Sequence, residues 1–354
     1  MENTQKIGWG QLLLLLFMCR VFTLMTFVPI AAAGNGLSLQ MTAAAISAVI
    51  QAVILIPVVM LKKSVTAAAL EKNKAAGITA AVLYLLFFLF YAAGCLIHFQ
   101  NFLHARFFPA SDSSLWIAVL LIVCVYCGCL GIEALGRSGV LLFWLFLAAL
   151  IIMCISSAQD MDLKNIGFGT DLSGGLFSAV MSDLARNGEI CAAAFLAGHV
   201  REKLRCGVYG LIASKLVLVE FVTLLIAAVL GDFAALTDYP FLAVGTFGGT
   251  RFIQRGDALY LIVWTVTAVI NTALFLRISG GLISEVFPKF RFGTSVSALL
   301  VFVAVLCFTL TDIQLSEIYD TVCSGWAIIL LTGIIPLIVL IAQRKAGAEN
   351  GSKA

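Results

Sequence analysis

The stretch Met181-Ser182-Asp183-Leu184-Ala185-Arg186-Asn187-Gly188-Glu189-Ile190 decides the fold, because it interrupts the long apolar segment 174–199 near its middle. An ionisable side chain at bilayer depth costs at least about 2.5–3.5 kcal/mol on insertion scales, so three in one segment need a specific reason. Asn187-Gly188 favours a helix break, and unwound backbone in lipid must face protein or a water-filled cavity. We therefore predict a broken helix that lines a cavity. The alternative is a Gly-kinked helix with Asp183 and Arg186 paired one turn apart.

The composition of the whole chain places this segment in a membrane. Of its 354 residues, 62% are apolar and 12% are charged, and the mean hydropathy is +1.07. An average soluble domain has about 25% charged residues, so this chain cannot solvate a globular surface. A water-soluble enzyme, a disordered protein and a nucleic-acid-binding protein are thereby excluded, and a multi-pass membrane protein is indicated.

Ten apolar windows are long enough to span a bilayer as helices, which takes roughly 20 residues each. Their apolar runs are continuous rather than alternating, so we predict an all-α integral membrane fold with ten transmembrane helices. The windows are Trp9–Ala33, Met41–Leu61, Gly77–Phe99, Leu115–Leu135, Gly139–Ser157, Gly174–His199, Cys206–Gly231, Ala258–Gly280, Thr294–Leu310 and Ile318–Ile341.

The distribution of basic residues predicts that both termini are cytoplasmic. Lys and Arg in short loops are retained on the cytoplasmic side of a membrane. With the N-terminus inside, the cytoplasmic segments hold fourteen Lys and Arg residues, whereas the outer loops hold four: Arg106, Lys164, Arg251 and Arg255.

The chain is predicted to form one membrane domain, 1–354, that contains two five-span halves. Residues 1–157 hold spans one to five, 174–342 hold spans six to ten, and 343–354 form a cytoplasmic tail. Because five is an odd number, the second half must be inverted relative to the first. Spans one and six both carry mid-depth charge, and interrupted segments at corresponding positions of two halves indicate a transporter site. We therefore expect both of these helices to be broken.

Arg20 in span one is predicted to form a buried ion pair, because it lies too far from either membrane face to reach water easily. Glu189 is the first candidate partner and Glu220 is the alternative. Thr23 lies about one turn further along the same span and adds a second polar group at this depth.

Other polar residues in the apolar windows can be explained by structural roles as well as by a functional role. Thr267 and Asn271 in span eight lie one turn apart, and they either face the same cavity or make ordinary hydrogen bonds between helices. Glu133, Lys215 and Arg277 lie nearer the predicted cytoplasmic ends of their spans, where charged side chains snorkel to the interface.

We predict no enzymatic activity, no cofactor and no metal centre. Cys124, Cys127 and Cys129 lie close together in span four, but without a nearby His they make a poor zinc site, and small apolar contacts explain them better. The three histidines are dispersed, and the sequence has no metalloprotease, hydrolase or nucleotide-binding motif.

The loop between spans seven and eight carries a longer motif. It begins Tyr239-Pro240-Phe241-Leu242 and continues with Arg251-Phe252-Ile253-Gln254-Arg255-Gly256-Asp257-Ala258-Leu259 towards Trp264. This loop resembles the signature of the endospore germination permeases, which are the B subunits of nutrient germinant receptors. Chain length and span number are similar too, and the further matches are Gln11, Pro29, Gly131-Ile132-Glu133 and Gly188-Glu189.

The resemblance implies a fold, a function and partners. The family belongs to the amino acid–polyamine–organocation superfamily, with the LeuT-like inverted five-plus-five fold and broken helices one and six. Its members are sensors: a small germinant, commonly an amino acid, binds and triggers exit from dormancy. They act with an A subunit and a lipoprotein C subunit in the spore inner membrane.

The resemblance also assigns residues to the signature loop. It places Arg255 and Asp257 in an extracellular signature, with Tyr239, Pro240 and Trp264 in the same motif. The alternative is that the two charged residues only order this loop, with the Tyr and Trp rings as anchors at the membrane interface.

Two departures from the family fall at the expected ligand site. Cys19-Arg20 stand where the family usually has small Gly or Ser residues, and Arg186-Asn187 stand where a Pro usually precedes the Gly-Glu pair. A more charged site implies a ligand other than the alanine-type germinants, or a site locked by internal ion pairs.

The predicted function is that of a germinant-binding membrane subunit, and two alternatives stay open. One is a proton-coupled amino acid permease that carries its proton on Glu189, and the other is a ligand-gated ion or water pore. In each case the ligand would lie at the centre of spans one, three, six and eight. The predicted ligand-binding residues are Arg20, Thr23, Asp183, Arg186, Asn187, Gly188, Glu189, Thr267 and Asn271.

Overall fold

The computed structural model describes residues 7–26, 35–61, 63–106, 113–167, 169, 175–196, 205–247, 257–288, 292–310 and 322–351. Within these ranges the chain is helical almost throughout, which confirms the predicted all-α class. The helices are α1 (Trp9–Thr26), α2 (Asn35–Ile54), α3 (Ile56–Met60), α4 (Val65–Leu70), α5 (Lys74–Arg106), α6 (Ser113–Cys129), α7 (Ile132–Ser157), α8 (Leu176–Ala185), α9 (Glu189–Leu196), α10 (Arg205–Leu230), α11 (Pro240–Phe247), α12 (Asp257–Val286), α13 (Gly293–Leu310), α14 (Gly325–Ile328) and α15 (Ile335–Gly351). A π-helical turn, Ile329–Ile334, joins α14 to α15.

Seven helices in the described ranges are long and apolar enough to cross a membrane. They coincide with the windows predicted for spans one, two, three, five, seven, eight and ten. Three shorter apolar helices, Trp116–Cys129, Leu176–Ala185 and Gly293–Leu306, coincide with spans four, six and nine. A multi-pass membrane protein is therefore confirmed, while the count of ten crossings stays a prediction.

Helix α12 lies at the centre of the bundle and packs against α1, α5, α6, α7 and α13. Aromatic rings fill the space between α1, α5 and α12. Trp264 stacks on Phe99 with ring centroids 5.1 Å apart, and the ring centroids of Phe22 and Trp264 lie 6.1 Å apart. Tyr91 and Phe275 extend this layer, with centroids 4.6 Å apart. Such pairs stabilise a fold beyond their buried area, so this part of the bundle is a packed core.

The helix break predicted in span six is present, because α8 ends at Ala185 and α9 begins at Glu189. In span one, α1 is continuous from Trp9 to Thr26, so its helix does not break at Arg20, and residues 27–33 of the predicted window lie outside the described residues. Pro29, near the predicted outer end of span one, lies outside the described residues.

Two neighbours hold α8 in place. It packs along α2 on one side and against α14 on another. At the α14 contact, a Cβ added to Gly325 would lie 2.6 Å from the carbonyl oxygen of Met181, so only glycine permits this close approach. The first half of span six is therefore fixed by spans two and ten.

Candidate functional site

The backbone between α8 and α9 turns sharply next to an aromatic ring. The N–H of Ile190 donates to the carbonyl oxygen of Asn187 at 3.1 Å, which starts α9 directly after the break. A Cβ added to Gly188 would lie 2.1 Å from Cε2 of Tyr91, so the ring of α5 leaves room only for glycine. The helix break at Asn187-Gly188 therefore has a steric cause, the ring of Tyr91, as well as the conformational freedom of the glycine backbone.

Arg20 of α1 reaches the end of α8 and pairs with Asp183. Its Nη2 donates to Asp183 Oδ1 at 2.9 Å, and its Nη1 donates to the carbonyl oxygen of Arg186 at 3.0 Å. A cation at the C-terminus of a helix is favourable, because the last carbonyl groups lack intrahelical partners. The predicted pairing of Arg20 with Glu189, and the alternative with Glu220, are both wrong.

This pairing explains why α1 stays continuous. Arg20 is only 3% exposed, yet its charge is met by a carboxylate and a carbonyl oxygen from α8. Unwound backbone of α1 is therefore not needed to solvate it. Thr23 is also buried, and its hydroxyl donates to the carbonyl oxygen of Arg20 at 2.9 Å within the same helix.

Lys215 of α10 forms the second buried ion pair, with Glu189. Its Nζ lies 2.7 Å from Glu189 Oε1, 3.0 Å from Asn187 Oδ1 and 3.1 Å from Gln51 Oε1. The Lys215 side chain is 3% exposed and that of Glu189 is 1% exposed. The prediction that Lys215 snorkels to an interface is wrong.

Asn187 connects the two ion pairs. Its Nδ2 donates to the carbonyl oxygen of Asp183 at 2.8 Å, while its Oδ1 accepts from Lys215. The described network therefore holds two positive and two negative side chains and is neutral as a whole. Charges this deeply buried are stable only when they are paired, and this pairing ties α1, α2 and α10 to the broken helix.

A cavity of about 400 Å³ adjoins this network between α1, α2, α8 and α10. Asp183 and Arg186 line it from α8, Glu220 lines it from α10, and Gln40 lines it from α2. Oxygen Oε2 of Glu220 is buried and has no hydrogen-bond partner in the described part of the chain. The cavity thus presents both carboxylate groups and a guanidinium group to whatever enters it.

The cavity lies between spans one, two, six and seven, whereas the sequence predicted a site between spans one, three, six and eight. Aromatic rings occupy the space between spans one, three and eight. Thr267 donates to the carbonyl oxygen of Trp264 in its own helix, and Asn271 donates to Cys95 Sγ of α5 at 3.1 Å. Neither residue contributes to the lining, so of the predicted ligand-binding residues only Asp183 and Arg186 line the cavity, with Arg20 and Asn187 just behind them.

The signature loop is described only at its two ends. Pro240 is the first residue of α11, Asp257 is the first residue of α12, and Arg255 lies outside the described residues. Tyr239 packs edge-on against Phe102, with ring centroids 4.7 Å apart.

Trp264 is fully buried, which contradicts its interpretation as an interface anchor. Its exposure is 0%, and its Nε1 donates to Thr26 Oγ1 at 2.9 Å. Tyr260, one turn before it, donates from its hydroxyl to the carbonyl oxygen of Met25 at 2.7 Å. Both rings therefore bind the last turn of α1, beside the cavity that Thr26 also lines.

Sequence reasoning missed three polar residues of this site: Gln51, Ser47 and Gln40. Ser47 and Gln51 form an i,i+4 polar pair in the apolar window of span two, and this spacing was a usable signal. Within the described ranges, no group of His, Cys, Asp and Glu residues has an arrangement that could hold a metal ion.

Comparisons with solved structures identify the class of fold. A sodium-coupled sialic acid symporter in a substrate-bound outward-open state superposes with a TM-score of 0.64, at 10% identity, over 93% of this chain and 77% of the other. MhsT in complex with L-phenylalanine superposes with a TM-score of 0.62, at 14% identity, over 97% of this chain and 99% of the other. Mhp1, a nucleobase-cation-symport-1 family transporter with bromovinylhydantoin bound, superposes with a TM-score of 0.59, at 15% identity, over 94% of this chain and 78% of the other. The chain therefore has the fold of this class of membrane transporters, as predicted.

The sequence itself identifies the family. Residues 6–316, most of the chain, match the model of the spore permease family, which is described as spore germination protein. The chain belongs to this family. A comparison with curated proteins finds no match.

Proposed function

We propose that this protein binds a small nutrient germinant in the cavity between α1, α2, α8 and α10, and that binding helps to trigger germination. The observation that carries the proposal is the cavity of about 400 Å³ at the broken helix of a spore germination family member. Small-molecule sites have volumes of about 300–1,000 Å³, so one amino acid or a solute of similar size would fit.

The charges of the lining favour a zwitterionic or amine-bearing ligand. Arg186 supplies a guanidinium group for a carboxylate, and Glu220 supplies a carboxylate for an ammonium group. Asp183 lines the same cavity, but its charge is already matched by Arg20. The side chain of Glu220 is therefore the expected contact for a positively charged group of the ligand.

The setting of this activity is part of the same proposal. The two halves of the chain, 1–157 and 174–342, would be related as inverted repeats, with ten crossings and both termini in the cytoplasm. The cavity would then face the outer side, because Thr26 lies at the outer end of span one and Asp238 lies in an outer loop. Partners would be the A subunit and the lipoprotein C subunit in the spore inner membrane.

A combined binding and uptake assay tests this function. Purified protein in liposomes is offered a panel of labelled amino acids with acidic, neutral and basic side chains, with and without an imposed proton gradient. We expect saturable binding of at least one member without accumulation. Glu220→Gln should weaken this binding at least tenfold, because a charge-assisted hydrogen bond is worth about 1.5–3 kcal/mol.

Glu133→Gln is the matched control, since Glu133 is half-exposed on α7, which contributes no described residue to the lining, and pairs there with Arg137. Binding by this variant should equal that of the unaltered protein. Accumulation driven by the proton gradient would instead show a working permease, which is the alternative that the transporter fold supports. Equal binding by both Glu→Gln variants would exclude the cavity as the ligand site.

A further inference from the structure

The ammonium group of Lys215 is fully coordinated by oxygen atoms. A lysine ammonium carries three N–H donors and no acceptor. All three donors have partners here, from three parts of the bundle: Gln51 Oε1 of α2, Asn187 Oδ1 of the helix break and Glu189 Oε1 of α9. We call these three side chains the oxygen cage.

Two members of the oxygen cage, Asn187 and Gln51, are oriented by contacts that do not involve Lys215. Asn187 Nδ2 donates to the carbonyl oxygen of Asp183, which can only accept, so Asn187 Oδ1 must point the other way, into the cage. Gln51 Nε2 donates to Ser47 Oγ at 3.1 Å, which points Gln51 Oε1 inwards as well. The two amide oxygens are thus oriented by second contacts, as in a preorganised binding site, whereas the carboxylate of Glu189 is held by Lys215 itself.

The oxygen cage is also adjacent to the cavity. A void of about 10 Å³, roughly the room that one water molecule needs, is lined by Lys215, Gln51 and Asn187. This void shares Ala44, Asp183 and Val219 with the lining of the larger cavity. A small solute in the cavity therefore lies one side chain away from the cage.

We propose that the oxygen cage is a binding site for a monovalent cation and that the Lys215 ammonium occupies it as a built-in cation. Three oxygens with one negative charge suit a single positive charge, and an ammonium makes hydrogen bonds of the length seen here. The chain thereby supplies internally the charge that holds α2, α9 and α10 at the break. Sodium, potassium and ammonium ions in solution have no place at this site until the lysine side chain is shortened. This inference does not depend on the proposed function, because it concerns the folded protein without a germinant.

Cation-dependent stability of Lys215→Ala tests the proposal. Melting temperatures of the purified full-length protein are measured in detergent with sodium, potassium, ammonium or N-methyl-D-glucamine chloride at one ionic strength. We expect the unaltered protein to melt at the same temperature in all four salts. Lys215→Ala should melt lower in N-methyl-D-glucamine and regain part of the loss in at least one small cation. The gain should grow with the logarithm of the cation concentration, as binding to the folded state requires.

Three further variants make the result specific. Lys215→Thr removes the ammonium but leaves less empty space than alanine, and it should show the same recovery. Lys215→Ala combined with Glu189→Gln keeps the space but removes the negative charge, so its recovery should be lost. Lys74→Ala removes an exposed lysine at the start of α5 and should melt alike in every salt.

Several results would overturn the proposal. Saturable stabilisation of the unaltered protein by any of the small cations would show that the cage is open to solution while Lys215 is present. Equal melting of Lys215→Ala and Lys215→Thr in all four salts would show that no free cation replaces the ammonium. Failure of both variants to give a monodisperse protein in every salt would lead to the same conclusion.

Discussion

The guanidinium group of Arg20 and the carboxylate of Asp183 lie 2.9 Å apart and join α1 to the end of α8. Asp183 also borders the cavity of about 400 Å³, so the pair separates this cavity from the oxygen cage behind it. A ligand that contacts Asp183 would therefore act directly on the contact between α1 and α8.

A double-mutant cycle on this pair tests the buried contact. Arg20→Met and Asp183→Asn should each lower the free energy of unfolding by about 3–5 kcal/mol, because each leaves an unpaired buried charge. The double substitution should lower it by clearly less than the sum, as coupled residues do. The free energies can be measured by unfolding in mixed micelles with increasing denaturing detergent, followed by tryptophan fluorescence.

The exposed pair Glu133 and Arg137 provides the control for that cycle. Its side chains are 37% and 70% exposed, so removing either should change the free energy of unfolding by less than about 1 kcal/mol. Strict additivity of Arg20→Met and Asp183→Asn would contradict the pairing described for α1 and α8.

Gly188→Ala tests the steric reason for the helix break. The added methyl group would enter the ring of Tyr91, and overpacking of this kind costs about 1–3 kcal/mol. We expect a lower melting temperature and partial recovery when Tyr91→Leu is added. Gly210→Ala is the control, because a Cβ at Gly210 meets no atom within 4 Å, so it should leave the melting temperature unchanged or raise it slightly. Unchanged stability of Gly188→Ala would mean that the ring does not confine the break.

Trp264→Phe tests the attachment of α12 to the last turn of α1. The substitution keeps an aromatic ring but removes the Nε1 donor that binds Thr26 Oγ1. We therefore expect the free energy of unfolding to fall by about 1 kcal/mol for the lost hydrogen bond, and further because the smaller ring makes fewer packing contacts. Trp144→Phe, on the exposed surface of α7, should have no measurable effect. If the two substitutions had equal effects in the same denaturant titration, the buried hydrogen bond would contribute nothing.

Ala179→Leu tests the cavity without altering a charge. The larger side chain would fill part of the space next to Asp183, so binding of any ligand found in the liposome assay should weaken at least tenfold. The melting temperature should stay near that of the unaltered protein, because the added carbons enter empty space. Ala148→Leu makes the same change on the exposed face of α7 and should leave binding intact. Normal binding by Ala179→Leu would place the ligand elsewhere.

The sequence predicted the helix break in span six because the residues that signal it are close together in the chain. Asn187 and Gly188 are adjacent, and charges at positions 183, 186 and 189 are incompatible with a helix facing lipid on all sides. The all-α fold class and the positions of the apolar windows follow from hydropathy, which is also a local property of the sequence.

The partners of the buried charges could not be predicted in the same way. Asp183, Arg186 and Glu189 are spaced by three residues, so periodicity alone does not say which of them faces span one. That choice depends on how α1 and α10 pack around the break. The position of the cavity depends on the aromatic layer around Trp264, which fills one interhelical space and leaves another open.

The prediction that Lys215 snorkels to the interface was wrong, although the sequence contained enough information to avoid it. It lies ten residues after Arg205, the first residue of α10. At a rise of about 1.5 Å per residue this is about 15 Å, half the thickness of the hydrocarbon core, and beyond the reach of a snorkelling side chain. Counting depth from the helix start would have predicted a buried partner for it.

The neutrality of the described buried network has a consequence for the membrane voltage. Moving one elementary charge across a potential of 100 mV involves about 2.3 kcal/mol of electrical work. Arg20 with Asp183 and Lys215 with Glu189 are neutral pairs, so a rearrangement that carries each pair as a unit does no such work. As far as these four charges are concerned, such a rearrangement would therefore proceed equally in an energised membrane and in one whose potential has collapsed.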